Sequence, residues 1–130
     1  MEQIIFITGA AGSGKSTIGR RLAEHFPRSV HIKVDDLRES IVNGNTVPGP
    51  WTEERTTKFR LGRSTATYMA KLYAASGFAV VVDEVCVPEF FVEQYAELFS
   101  VRAVLKVLLL PNLDVLATRL RQRGVPMHSF

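Results

Sequence analysis

Residues 4–8, Ile-Ile-Phe-Ile-Thr, form a short apolar run that stops at Gly9, and residues 9–16 then read Gly-Ala-Ala-Gly-Ser-Gly-Lys-Ser. An apolar, β-branched run of this length is the pattern of a strand buried on both faces of a parallel sheet. From Ser16 onward Ile18, Leu22, Ala23 and Phe26 recur at helical spacing until Pro27 closes the segment. The local order is therefore strand, glycine-rich loop, helix, and it constrains the chain more than any other feature. The loop fits the pattern G-x-x-x-x-G-K-[ST], which arises by chance in roughly one chain of this length in a few hundred. Its place between a buried strand and a helix makes chance a poorer explanation still.

The chemistry accounts for each residue type. Glycines let the loop turn its backbone N–H groups inward, where they add to the positive end of the following helix and hold a phosphate with donors rather than bulky side chains. Gly9, Ala10, Ala11, Gly12, Ser13, Gly14, Lys15, Ser16 and Thr17 are the expected nucleotide-binding set. Lys15 is expected to bridge β- and γ-phosphate oxygens, Ser16 to place its hydroxyl on Mg²⁺, and Thr17 to reach the α-phosphate. A mere glycine-rich turn would leave Lys15 incidental, which three glycines just ahead of it argue against.

The rest of the chain alternates in the same way. Strands are expected at 30–34, 78–83 and 104–110, and helices at 37–42, from a Thr52 cap to a Gly77 stop, at 88–99 and at 113–123; residues 43–50 read as loop. Such alternation gives an open parallel α/β sheet covered by helices on both faces, here as one domain over residues 1–130. With 46% hydrophobic and 22% charged residues the chain is not disordered, and its apolar runs are far shorter than the ~20 residues a membrane helix needs. The net charge of +3 is spread without a basic block or interleaved aromatics, so a nucleic-acid partner is not expected. One cysteine, Cys86, and three scattered histidines, His25, His31 and His128, argue against a disulfide or structural zinc. The first residues lack a signal-peptide pattern, and a cytoplasmic location is expected.

Further candidates stand where strands end. Asp83, closing Val80-Val81-Val82, is expected to hold hydrated Mg²⁺ together with Ser16, unless it only caps the strand end. Glu84 discriminates between functions, since hydrolytic relatives of such loops often place a water-activating glutamate there. Asp35 and Asp36 are candidate bases for an acceptor hydroxyl, Asp35 first; the plainer alternative is that they cap the next helix. Arg38 is expected to hold an anionic substrate or developing charge, and Trp51 to be either a core plug or part of an acceptor pocket. Arg119 and Arg123 share a helix face as either solvated or functional charges.

The loop at 9–17, Val-Asp-Asp-Leu-Arg at 34–38, Gly-Phe-Ala-Val-Val-Val-Asp at 77–83 and Arg119-x-x-x-Arg123 together resemble the P-loop kinase group that includes adenylate, shikimate and gluconate kinases. The pattern is most similar to chloramphenicol phosphotransferase and the zeta-toxin-like ATP-binding proteins. The resemblance implies a three-layer P-loop NTPase fold of strand order 2-3-1-4-5, ATP with Mg²⁺, an aspartate base after the second strand, and lid arginines at Arg119 and Arg123. Against that pattern the fifth strand and last helix are expected to be missing. The expected function is transfer of the γ-phosphoryl group to a hydroxyl of a small molecule. Two other readings stay open: a nucleotide-binding regulatory or weakly hydrolytic protein, and a polynucleotide 5′-hydroxyl kinase.

Overall fold

The computed structural model describes residues 3–9, 14–47, 49–85, 93–100, 104–108 and 122. The expectations for Ala10, Ala11, Gly12, Ser13, Cys86, His128, Arg119, Arg123 and the helix at 113–123 fall outside the described residues. Within them the order is β1 (Gln3–Gly9), α1 (Lys15–Glu24), β2 (Ser29–Lys33), α2 (Val34–Arg38), α3 (Glu53–Ala75), β3 (Ala79–Val85), α4 (Ala96–Phe99) and β4 (Val104–Leu108). The strands form one parallel sheet in the order β2-β3-β1-β4. In register, Ile7 stands beside Asp83 and Lys33 beside Asp83 on its other side, so all three strands end at one edge.

Alternation along the strands divides the core in two. On one face Ile4, Phe6, Ile32, Val80 and Val82 pack against Ala66, Ala70 and Ala74 of α3 and against Tyr95 and Leu98. On the other, Ile5, Ile7 and Val81 pack against Ala23, Leu22 and Phe26 of the α1 segment. Alanines four apart on α3 let that helix lie close to the sheet, and Phe6 meets Tyr95 and Phe99 edge-on, at 4.9 and 5.1 Å between ring centroids. No helix among the described residues is long and apolar enough to cross a membrane.

The expected ends of α3 are found. Thr52 Oγ1 accepts the Arg55 N–H at 3.2 Å, and after the helix Gly77 takes a positive φ of 90°, with the Phe78 N–H donating to the Tyr73 carbonyl. The boundary between β2 and α2 differs from the sequence expectation. Instead of a strand to residue 34 and a helix over 37–42, the strand ends at Lys33 and the helix occupies Val34–Arg38. Asp35 and Asp36 thus sit in the first turn and Arg38 in the last, the arrangement the helix dipole favours. The apolar Leu37, Ile41 and Val42 suggested a later helix because β-branched Val34 reads equally well as strand. Of the helix expected at 88–99, the described part is a 3₁₀ turn at 93–95 followed by the single turn of α4.

A glycine in mid-helix fixes how α2 and α3 meet. A Cβ at Gly62 would stand 2.7 Å from Cγ of the buried Arg38 and 3.8 Å from Val34 Cγ1. Gly62→Ala therefore sets ~1 kcal/mol of gained helix propensity against ~1–3 kcal/mol of overpacking, and the overpacking wins because Arg38 is held at its far end. The variant is expected to unfold at lower urea concentration than the parent; an unchanged or raised midpoint would show that Arg38 does not pass beneath Gly62.

Candidate active site at the carboxyl edge of the sheet

The chain leaves β1 at Gly9 and enters α1 through Gly14, whose φ of 89° is left-handed and whose lack of a side chain leaves the helix start without a side-chain cap. No acidic residue occupies the first turn. The orphan N–H groups of α1 are thus available to an anion, and Lys15, 7% exposed, opens the helix beside them. Thr17 is exposed one residue beyond Ser16. Across the sheet edge, Thr8 Oγ1 donates to the Val85 carbonyl at 3.1 Å and ties the ends of β1 and β3.

Ser16 and Asp83 come together as the sequence expectation requires. The Ser16 hydroxyl donates to Asp83 Oδ1 at 3.5 Å, and Asp83 is 2% exposed. The other carboxylate oxygen, Oδ2, is hydrogen-bonded to His31 Nε2. One hydroxyl and one carboxylate suit Mg²⁺, which keeps several waters and takes one or two protein oxygens plus phosphates. Among the described residues no group of three or more His, Cys, Asp or Glu gathers as a fuller metal cage.

Glu84 has a different role from its neighbour. It is fully buried, and Arg38 Nη1 donates to both its oxygens at 2.9 and 3.2 Å. The Tyr95 hydroxyl donates to Oε2 at 2.6 Å, Arg63 Nε to the same oxygen at 3.4 Å, and the Val85 N–H to Oε1 at 3.0 Å. Arg63 also donates to Gln94 Oε1 at 2.6 Å. Burial first, and the charge of Glu84 second, push the Tyr95 phenol far above its ordinary pKa, so it stays a donor throughout the working range. A carboxylate with this many donors and no solvent access has no lone pair to offer a water molecule.

Asp35 and Asp36, adjacent in sequence, diverge. Asp35 is half exposed, accepts from Arg38 Nη2 through Oδ1, and lines a cavity of about 490 Å³. Asp36 is exposed and does not line it. Arg38 lines the cavity too, but its guanidinium is divided between Glu84 and Asp35 and packs 4.3 Å from the Phe59 ring centroid. Glu39, Arg55, Lys58, Phe59 and Val85 complete the greater part of the wall. Trp51 is not a wall residue; its indole donates to Thr56 Oγ1 at 2.6 Å and packs on two that are, Phe59 and Arg55. A volume of this size suits a small molecule.

His31, Arg63 and Tyr95 were not singled out from the sequence. His31 lacks ligand-like spacing, but it lies two residues before Lys33, the register partner of Asp83, and so on Asp83's face of the sheet. The accompanying signal is Gly19 on α1, where a Cβ would stand 2.8 Å from His31 Nε2. Gly62 marks Arg38 in the same way. Arg63 and Tyr95 carry no such mark: each sits among apolar residues at helical spacing.

The three-layer arrangement is the α/β P-loop fold. A sugar kinase from Janibacter sp. HTCC2649 shares it at a TM-score of 0.70 and 16% identity over 98% of this chain and 72% of that one. Shikimate kinase from Acinetobacter baumannii does so at 0.65 and 23% identity, over 98% and 67%. A chain of the Pnkp1/Rnl/Hen1 complex gives 0.61 and 22% over 91% of this chain and 39% of its own length. No curated protein matches the sequence. The family follows from the sequence itself: residues 4–129 match the family model described as AAA domain, and the chain belongs to that AAA domain family.

Proposed function

We propose that the protein is an ATP- and Mg²⁺-dependent phosphotransferase that moves a γ-phosphoryl group to a hydroxyl of a small molecule held in the Asp35 cavity. One observation supports this reading above the others: the half-exposed Asp35 faces the cavity while Glu84, in the position of a water-activating base, is buried and saturated with donors. The likeness in fold to sugar and shikimate kinases agrees with it.

When bound, ATP would supply the phosphoryl group, and Mg²⁺, which Ser16 and Asp83 would hold, would neutralise the charge on its phosphates. The chain's own residues position and polarise. The α1 N–H groups and Lys15 hold phosphate oxygens, and Ser16 and Asp83 offer oxygens to the hydrated cation. His31 fixes the Asp83 carboxylate through Oδ2, which keeps Oδ1 turned toward Ser16. Arg38 orients Asp35 through Oδ1, and Asp35 Oδ2, with no partner among the described residues, accepts the acceptor's hydroxyl proton. Arg119 and Arg123 belong to this proposal as phosphate-closing residues on the strength of the sequence resemblance alone.

A second reading, a polynucleotide 5′-hydroxyl kinase, draws on the likeness to the Pnkp1/Rnl/Hen1 chain. Oligonucleotide binding whose affinity falls steeply with salt would favour it. The hydrolytic reading loses support with the engagement of Glu84.

Lys15→Ala is expected to weaken Mg²⁺-ATP binding about 10–100-fold by calorimetry, the worth of a charge-assisted phosphate contact. Unchanged affinity would remove the phosphate-loop reading. For Asp35→Asn, acceptor-dependent turnover should fall ~10²–10⁴-fold with ATP affinity retained; full turnover would transfer the base role to Asp36. Tyr95→Phe takes one donor from a buried carboxylate and is expected to lower stability by ~1.5–3 kcal/mol in denaturant titration. If instead that variant matches the parent in stability, the Tyr95 hydroxyl does not satisfy the buried Glu84 carboxylate.

A further inference from the structure

We propose that the acceptor carries a single oxyanionic group, a carboxylate or a phosphate, and that Arg55 is the residue that reads it. The inference rests on the cavity assigned above to the acceptor, and it comes from the charges on that cavity's wall. Among the described residues three cations line it, Arg38, Arg55 and Lys58, with two carboxylates, Asp35 and Glu39. Arg38 is spent on Glu84 and Asp35. Lys58, only 11% exposed, donates to Glu39 at 3.1 Å, and this bond, followed by the one from Asn45, holds the Glu39 carboxyl below its usual pKa. Glu39 therefore stays ionised against Lys58.

Arg55 differs from both. Its Nη1 donates to the Gly49 carbonyl at 2.8 Å, and its guanidinium lies over the Trp51 ring, 4.6 Å from the centroid. Among the described residues no carboxylate pairs with it. The stack and the carbonyl bond fix the plane of the guanidinium without neutralising it, and its remaining N–H donors match the two-oxygen edge of a carboxylate or phosphate. Glu53 and Glu54 share the first turn of α3 with Arg55, but neither lines the cavity. The ring of Phe59 and the side chains of Val47 and Val85 give the same cavity an apolar wall for the carbon frame of the ligand. Glu39, ionised on that wall, opposes a second anionic group. The matching ligand thus presents one oxyanion to Arg55 and a hydroxyl to Asp35.

Trp51, the one tryptophan of the chain, is 48% exposed under Arg55 and reports on it directly. Its emission is to be titrated at constant ionic strength with glucose, gluconate and glucose 6-phosphate: neutral, carboxylate and phosphate forms of one polyhydroxylated frame. At least one of the two anions is expected to give a saturable change and glucose none, and which anion responds distinguishes the carboxylate from the phosphate source. In Arg55→Gln the midpoint should rise about tenfold or more, and Arg55→Lys, which keeps charge but not the planar fork, should fall between. The same response in Lys15→Ala, within about twofold of the parent, places the anion at Arg55 rather than on the phosphate loop. A response to glucose equal to the anions, no response to either anion, a response that survives in Arg55→Gln with unchanged thermal stability, or one that vanishes in Lys15→Ala would overturn the proposal. Anion binding without any acceptor-dependent ADP formation would instead count against the phosphotransferase reading alone.

Discussion

The buried carboxylate of Glu84 organises the candidate active edge of this sheet. Glu84 is without solvent contact, and a carboxylate in that position is tolerable only if donors surround it. Among the described residues those donors come from four segments: Arg38 from α2, Arg63 from α3, Tyr95 from the turn before α4, and the Val85 amide from β3 itself. Removing one partner of a buried ion pair costs ~3–5 kcal/mol, more than most single packing contacts. The cluster thereby sets where α2 lies under α3, and Arg38, anchored in it, presents Asp35 at the cavity wall.

Strand alternation gives adjacent carboxylates opposite duties. Val80 and Val82 pack on the α3 side, and Glu84 continues that series; Val81 packs on the α1 side, and Asp83 continues the other. On β2 the same alternation places Ile32 toward α3 and His31 toward α1, where Asp83 and Ser16 meet it. One face of the edge thus holds the elements suited to a metal-bound phosphate, and the other holds a structural ion cluster with the candidate base at its rim. In the proposed reading Glu84, saturated with donors, is withheld from water, and Asp35 serves a hydroxyl bound in the cavity.

Much of this was legible in the residues themselves. The strand that ends at Gly9, the helix that starts after Gly14, the other strand runs and the caps at Thr52 and Gly77 are local signals, and the parallel order 2-3-1-4 follows the resemblance the sequence carries. The pairing of Ser16 with Asp83 was legible for the same reason, since each is the terminal residue of a recognisable segment. The end of β2 was not: Val34 serves strand or helix equally, and two acidic residues favour a helix start only once the dipole is there. Arg63 and Tyr95 were illegible because their role depends on Glu84, brought next to them by β3 crossing back under α3. His31 needed the strand register before it could be placed beside Asp83.

The proposed chemistry delivers a phosphoryl group from this edge to a bound hydroxyl and not to water. Its most direct test is the ratio of two rates in the unmodified protein with Mg²⁺-ATP: ADP formation across a panel of hydroxylated small molecules, and phosphate release with no acceptor present. At least one hydroxylated acidic compound is expected to raise ADP formation well above a near-background phosphate release. Phosphate release without acceptor that equals or exceeds the fastest rate with any of them would contradict it.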